Sequence, residues 1–204
     1  SPTLFGARLQ VGNLSGLSDF EISGNTFGAA GSGVTTAGIG FQMMDLGGAV
    51  PGASSIGLGL ISKNIIPGSA GDGILVTGNR TTGSNLVRSL EFSQNVISGP
   101  ARCGINIVPG INTLTLTDIK ITDNVILNGA GSGAFPGIVV QNADATLVAF
   151  RRIFVQRNSI VGQINATVRA ISVANSATDS TGIHVDDNTI DGSNGAASVG
   201  FGIV

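Results

Sequence analysis

The chain has 204 residues, of which 42% are hydrophobic and 11% charged, and its formal net charge is −2. It has no basic cluster, so nothing supports a nucleic-acid partner that depends on phosphate neutralisation. No apolar run approaches the roughly 18 residues that a membrane span needs. The single cysteine, Cys103, excludes a disulfide framework and a cysteine-based zinc site, and we expect it to be a small buried thiol.

One sequence element recurs six times from residue 20 onward: an alternating apolar strand, an asparagine, and a second apolar pair. The asparagines are Asn25, Asn64, Asn95, Asn124, Asn158 and Asn188. They are 29 to 39 residues apart, a quasi-period that is typical of a stacked repeat and not of a single globular core. Strict alternation, as in Ile119, Lys120 and Ile121, predicts strands with one buried face.

A second strand follows the asparagine in each repeat and supports the same period. These segments begin with Gly-Ile or Ala-Ile and span residues 38–41, 73–76, 104–107, 137–140 and 170–173. Segments rich in glycine and serine, such as 28–33 and 129–133, predict the tight turns that join the strands. The repeat therefore predicts an all-β fold in which short coils stack as a parallel β-solenoid.

This pattern resembles the right-handed parallel β-helix proteins, the superfamily of pectate lyases, polygalacturonases and phage tailspikes. The resemblance implies a single-stranded right-handed parallel β-helix of about six coils, with the six asparagines stacked as an internal ladder. We expect one domain over residues 1–204, because the repeat runs nearly end to end. Since neither end has an evident cap over the core, we expect this domain to be a module of a larger protein.

Lyases of this superfamily bind calcium through carboxylates above the strand that begins Gly-Ile here. The outward residues of that strand are Gly40, Leu75, Asn106, Val139 and Ser172, none of which is acidic. The resemblance therefore carries over no pectate-lyase site, and we expect neither a metal nor a cofactor.

Aligning the asparagines arranges the outward residues of successive coils in columns along the solenoid. The residues four positions before each asparagine are Glu21, Leu60, Glu91, Lys120, Phe154 and His184. Opposite charges then lie on adjacent coils, as for Glu91 and Lys120, or for Asp123, Arg157 and Asp187. The simpler interpretation, which we favour, is an exposed ladder of ion pairs that contributes little to stability.

A polysaccharide site is the alternative interpretation of the same surface. In it, Glu91 or Asp186 is the catalytic acid or base, and Lys120 or Arg157 stabilises developing negative charge. His184 is the single histidine, and Asp186, two residues later on the same face, could orient it as a base.

Three side chains, Asp123, Phe154 and Arg157, are candidates for binding a glycan. The chain contains no Trp and no Tyr, however. Sugars usually stack on such rings, so a catalytic glycan groove contained wholly within this chain is disfavoured.

Four apolar residues at outward positions predict association with other subunits: Leu60, Leu75, Val139 and Phe154. An exposed patch of this kind is usually covered by a partner, and we expect a homotrimer with parallel axes, as in tailspikes of this superfamily.

The sequence favours a tailspike-like module of a virion tail or other extracellular appendage. It would serve as a rigid shaft or bind a host glycan, with a bacterial surface polysaccharide as the partner. One alternative is a polysaccharide lyase or glycoside hydrolase that depolymerises such a glycan. Another is a segment of a bacterial adhesin, because the same coils carry many functions.

Overall fold

The computed structural model describes residues 5–11, 16–27, 37–44, 53–79, 84–109, 113–127, 135–142, 149–162, 169–175, 177–191 and 200–203. Within these ranges the chain forms 19 β-strands and no helix. The strands of the first half are β1 (Phe5–Val11), β2 (Gly16–Leu17), β3 (Phe20–Ser23), β4 (Ala37–Met44), β5 (Ala53–Ser62), β6 (Ile65–Ser69), β7 (Asp72–Asn79), β8 (Ser84–Ser93) and β9 (Val96–Pro100). Those of the second half are β10 (Ile105–Val108), β11 (Thr113–Thr122), β12 (Val125–Leu127), β13 (Ile138–Asn142), β14 (Ala149–Gln156), β15 (Ser159–Val161), β16 (Arg169–Asn175), β17 (Asp179–Asp186), β18 (Thr189–Asp191) and β19 (Gly200–Ile203).

The strands form three parallel sheets that the chain visits in turn. The first sheet has the order β1-β4-β7-β10-β13-β16-β19, the second β17-β14-β11-β8-β5-β2 with β3 also paired to β5, and the third β18-β15-β12-β9-β6. Each strand from β4 to β16 therefore pairs with the strand three places later, which is the connectivity of a parallel β-solenoid. The predicted fold class is confirmed. A complete turn contributes one strand to each sheet. The third sheet has five strands and therefore four steps from one strand to the next, so the solenoid has about four complete turns, slightly fewer than the six coils expected.

The core is a set of apolar columns that run along the inside of the coils. One column of the second sheet contains Ile61, Phe92, Ile121 and Val155, which are in register and fully buried. The first sheet contributes Ile39, Ile74, Ile105 and Ile138, and the third Ile66, Ile97, Ile126 and Ile160. Alternation places these side chains on one face of each strand, and the next coil covers them. The stacking of coils therefore excludes water from the core along the axis.

The asparagine ladder lies inside, at the corner between the second and third sheets. At each step, the main-chain N–H and Nδ2 of one asparagine both donate to Oδ1 of the next asparagine along the chain. Nδ2 of Asn95 also donates to the carbonyl oxygen of Ile61 at 2.9 Å. Asn64, Asn95 and Asn124 are fully buried, and their side chains are paired as buried amides require. The ladder predicted from the asparagine spacing is confirmed.

Two positions of each coil have a left-handed backbone. The residue directly before each asparagine has a positive φ: Gly24, Lys63, Gln94, Asp123, Arg157 and Asp187. So does the residue six before it: Asp19, Leu58, Ser89, Asp118, Arg152 and Gly182. In the register of β11 with β14, Thr117 pairs with Arg151 and Ile119 with Ile153, and the pair between them, Asp118 and Arg152, is skipped. The left-handed residue six positions before the asparagine is therefore a bend within the strand. The sequence did not predict this bend, because five of its six residues are not glycine.

Two residues assigned to an apolar outer face are not exposed. Leu75 and Val139 have exposed fractions of 7% and 6%, so their predicted contribution to an exposed patch is wrong. Leu75 packs with Ala37 of the neighbouring coil, and alternation alone cannot show such cover on the outer face. In the described ranges, the exposed large apolar side chains are instead Leu58 and Ile65, at 58% and 47%.

Two further observations concern the sequence expectations. Cys103 is 2% exposed and unpaired, as expected of a buried thiol. Over the part of the chain that the structure describes, no helix has the length and apolar character needed to cross a membrane.

Candidate functional site

A surface groove of about 520 Å³ crosses the outer face of the second sheet. It is lined by Glu91, Ser93, Gln94, Lys120, Thr122, Asp123, Phe154, Gln156 and Arg157. These residues come from β8, β11 and β14, and from the turns that follow them, so three successive coils build the groove. Five of the lining residues are the candidates Glu91, Lys120, Asp123, Phe154 and Arg157.

The register of the parallel strands brings these candidates together. Glu91 pairs with Lys120, Lys120 with Phe154, and Phe154 with His184. In the column two positions later, Gln156 pairs with Asp186. Because each asparagine fixes its coil at the same level, the columns inferred from the sequence are the columns of the sheet. His184 and Asp186 lie one coil beyond the groove lining.

Phe154 and His184 form a ring stack at one end of the groove. Their ring planes differ by 6°, and their ring centroids are 5.1 Å apart. This distance is close to the spacing of neighbouring strands. His184 therefore covers one face of the Phe154 ring, while the other face points toward the coil of Lys120. In the described part of the chain, no hydrogen bond joins His184 to Asp186.

Arg157 and Asp123 form a two-pronged ion pair along one edge of the groove. Nε donates to Oδ1 and Nη2 to Oδ2, each at 2.9 Å. Hydrogen bonding and charge from the Arg157 guanidinium hold the pKa of Asp123 below its usual value. Asp123 is therefore ionised near neutral pH and unsuited to donate a proton. The positive charge of Arg157 is balanced by the Asp123 carboxylate.

Arg152 and Asp118 make a second pair of the same kind at the other left-handed position of the same two coils. Nη2 of Arg152 donates to Oδ2 of Asp118 at 2.7 Å, and Nε donates to Oδ1. This hydrogen bonding lowers the pKa of Asp118. This pair lies outside the columns inferred from the sequence, which end four residues before the asparagine. Extending the alignment by two residues would have placed Asp118 beside Arg152.

Glu91 and Lys120 lie between the main groove and a smaller one of about 270 Å³. The smaller groove is lined by Ser89, Leu90, Glu91, Asp118 and Lys120. Oε1 of Glu91 accepts a hydrogen bond from Ser93 Oγ at 3.1 Å. Over the described ranges, the side chains of Lys120, Gln94 and Gln156 make no hydrogen bond or ion pair within the protein. These three groups are consequently available to a ligand.

A separate polar cluster is buried near the start of β7. Asp72 is fully buried, and its Oδ1 accepts a hydrogen bond from the Cys103 main-chain N–H at 3.0 Å. Burial raises the pKa of Asp72, although the charge of Arg102 and the nearby Asn106 amide oppose this effect. Burial and the Asp72 charge also raise the pKa of Cys103. The sequence gives no sign of this buried carboxyl group, because Asp72 lies between two glycines.

The chemistry of the groove favours recognition of hydroxyl-rich molecules. It offers uncommitted amides, a lysine, a carboxylate and an aromatic ring, on strands with a fixed register and on the turns that follow them. Within the described ranges, no three His, Cys, Asp or Glu side chains gather closely enough to hold a metal ion. No protein-family model, curated protein or solved structure matches the chain.

Proposed function

We propose that the chain is a tailspike-like β-solenoid module that binds a bacterial surface polysaccharide in the groove of the second sheet. The observation that carries this proposal is the convergence of Glu91, Lys120, Asp123, Phe154 and Arg157 on one groove. Rigid parallel strands hold these side chains at fixed spacing, which lowers the entropy lost when a ligand binds.

Several contacts favour binding over depolymerisation. Of the two carboxyl groups that line the groove, Asp123 has a lowered pKa, whereas a general acid needs a carboxyl group that stays protonated near the working pH. Arg157 is engaged by Asp123 and so is not free to stabilise developing charge elsewhere. His184 is stacked on Phe154. A lyase or hydrolase centred on Glu91 and Lys120 is the second candidate, because these residues are in register within the groove.

We also propose that the module belongs to a virion tail or other extracellular appendage and assembles as a homotrimer. The exposed apolar side chains of Leu58 and Ile65 support association. A rigid shaft, or a segment of an adhesin, would use the same solenoid without engaging the groove.

The test is to incubate the purified chain with a panel of bacterial capsule and lipopolysaccharide glycans. Retention and the appearance of new reducing or unsaturated ends are both scored. A binding module retains a glycan intact, an enzyme creates new ends, and a shaft does neither. Retention without cleavage is the expected result.

Two variants locate the binding surface. Phe154→Ala should abolish retention, because it removes the aromatic face at the end of the groove. Ile65→Ala is the matched control, since it truncates an exposed apolar side chain outside the groove. If both variants bind as well as the unmodified chain, the groove is not the site.

A further inference from the structure

We infer that the groove takes an uncharged stretch of polysaccharide, whose sugar units carry hydroxyl and amide groups but no carboxylate, sulfate or phosphate. This inference rests on the proposed function, because it names the charge class of the bound glycan. It follows from how the arginines of β14 and its following turn are already paired.

Arginine is the side chain best suited to recognise anionic groups, since its guanidinium binds both oxygens of a carboxylate or phosphate at once. On this face, the arginines of β14 and its following turn are already used in this way. Arg157 is bound by Asp123 and Arg152 by Asp118, each through two hydrogen bonds. An anionic sugar would have to displace an aspartate from each pair.

A third arginine of the same strand is also paired. Arg151 forms an ion pair with Asp179 of the next coil. The carboxylates that hold these arginines come from the coils on both sides of β14. An anion approaching β14 and its following turn therefore meets guanidinium groups whose charge is already compensated.

The charged side chains that line the groove carry no net charge together. Glu91 and Asp123 contribute two negative charges, and Lys120 and Arg157 contribute two positive charges. Lys120 is in register with Glu91, and its charge also acts on Asp118, where it helps to lower the pKa. The chain as a whole has a net charge of −2. The balanced charge of the groove and the negative charge of the chain therefore give a polyanion little overall attraction.

The uncommitted groups of the groove suit neutral sugars. The side-chain amides of Gln94 and Gln156 each offer donors and an acceptor, and a sugar hydroxyl can satisfy both kinds of group. The Phe154 ring, which lines the groove, adds an apolar surface that can contact the C–H groups of a sugar. The groove spans three adjacent strands, about 4.8 Å apart. It therefore runs along the solenoid axis and can follow an extended polymer.

The experiment compares polymers that differ in charge alone. Capsular polysaccharides rich in uronic acids are chemically reduced so that each carboxylate becomes a primary alcohol, and native and reduced forms are immobilised side by side. Binding of the purified chain is measured at low and high sodium chloride. We expect the reduced polymers to bind, with a Kd that changes less than about twofold with salt, because screening acts on charges.

Variants test the role of the amides. Gln94→Ala and Gln156→Ala should each weaken binding of the reduced polymers by about threefold to tenfold, as expected for loss of a hydrogen bond. Gln141→Ala is the matched control, since Gln141 lies on β13 of the first sheet and outside the groove.

The outcomes separate this inference from the proposed function. Native acidic polymers that bind more tightly than the reduced forms, with an affinity that falls with salt and is lost in Lys120→Gln, would overturn the inference and leave glycan binding intact. Equal binding of both forms would also overturn it. If no polymer of either kind is retained, the proposed function itself fails.

Discussion

Asn95 and Asn124 are 29 residues apart in the chain and share two hydrogen bonds. The main-chain N–H and Nδ2 of Asn95 both donate to Oδ1 of Asn124, at 3.0 and 2.9 Å. Nδ2 of Asn124 donates in turn to Oδ1 of Asn158 at 3.0 Å. Every acceptor oxygen in the ladder thus faces the preceding coil. The ladder has a direction, and an interior member serves neighbours on both sides.

Asn124→Ala should lower the free energy of unfolding by about 1–3 kcal/mol, because it leaves two buried donors of Asn95 without their acceptor. Chemical denaturation measures this loss. Asn25→Ala is the control: Asn25 is exposed, and in the described ranges no group donates to its side-chain oxygen, so its replacement should cost less. A loss below about 0.5 kcal/mol for Asn124→Ala would contradict the assigned role of the ladder.

The asparagine ladder and the strand pairing, which repeat in every coil, were predictable from the sequence. One aligned asparagine fixes the level of a coil, so the pairing of Glu91 with Lys120 followed from spacing alone. Features that differ from coil to coil were not predictable. The cover over Leu75 and the burial of Asp72 depend on neighbouring side chains. The bend six residues before each asparagine does repeat, but it was not predictable, because residues such as Leu58 do not favour a left-handed backbone.

The first-sheet strands begin at a narrow place in the coil, and the space there differs between coils. A Cβ on Gly73 would lie 2.4 Å from Ile97 Cγ2 and 2.6 Å from the carbonyl oxygen of Gly104. A Cβ on Gly137 would meet its nearest atom at 3.0 Å. The corresponding residue of the following coil is Ala170, which is fully buried. The glycines here avoid steric overlap with the next coil.

Gly73→Ala should therefore destabilise the fold by about 1–3 kcal/mol through overpacking, and Gly137→Ala should cost clearly less. Urea denaturation of the two variants in parallel makes the comparison. Neither glycine has a positive φ, so backbone preference does not separate them. Equal losses in the two variants would show that the space beside Ile97 does not set the cost.

The buried carboxyl group of Asp72 should make stability depend on pH. Burial raises its pKa above the ordinary value of 3.8, so the folded chain retains the proton at pH values where the unfolded chain has lost it. Below pH 3.8 the group is protonated in both states. As the pH rises from there to the folded pKa, its contribution to stability falls by about 1.4 kcal/mol per unit. Asp72→Asn should therefore become more stable than the unmodified chain as the pH increases through this window.

Asp123 provides the control of opposite sign for that measurement. Arg157 lowers its pKa, so its contribution to stability is present above pH 3.8 and is lost as the pH falls through the folded pKa. Asp123→Asn should lose a little stability at neutral pH and none at low pH. Denaturation curves of Asp72→Asn and Asp123→Asn from pH 3 to 8 check the two signs. If the stabilities of both variants change in the same direction with pH, the burial of Asp72 and the ion pair of Asp123 do not set their pKa shifts.

Leu58 combines two unfavourable features, a left-handed backbone with φ of 52° and a side chain that is 58% exposed. A non-glycine residue in this conformation costs on the order of 1–3 kcal/mol, and asparagine tolerates it far better than leucine. Leu58→Asn should therefore raise the free energy of unfolding of the isolated chain by about 0.5–1 kcal/mol.

If Leu58 anchors contacts between subunits of a homotrimer, the same variant should also shift the chain toward monomer in sedimentation, because it removes an apolar contact from the interface. Ile65→Asn, which is also exposed but has no positive φ, is the control for strain and should bring no gain in stability. If Leu58→Asn is less stable than the unmodified chain, backbone strain at this position is not the dominant effect. An oligomeric state unchanged by Leu58→Asn would exclude this residue as an anchor of assembly.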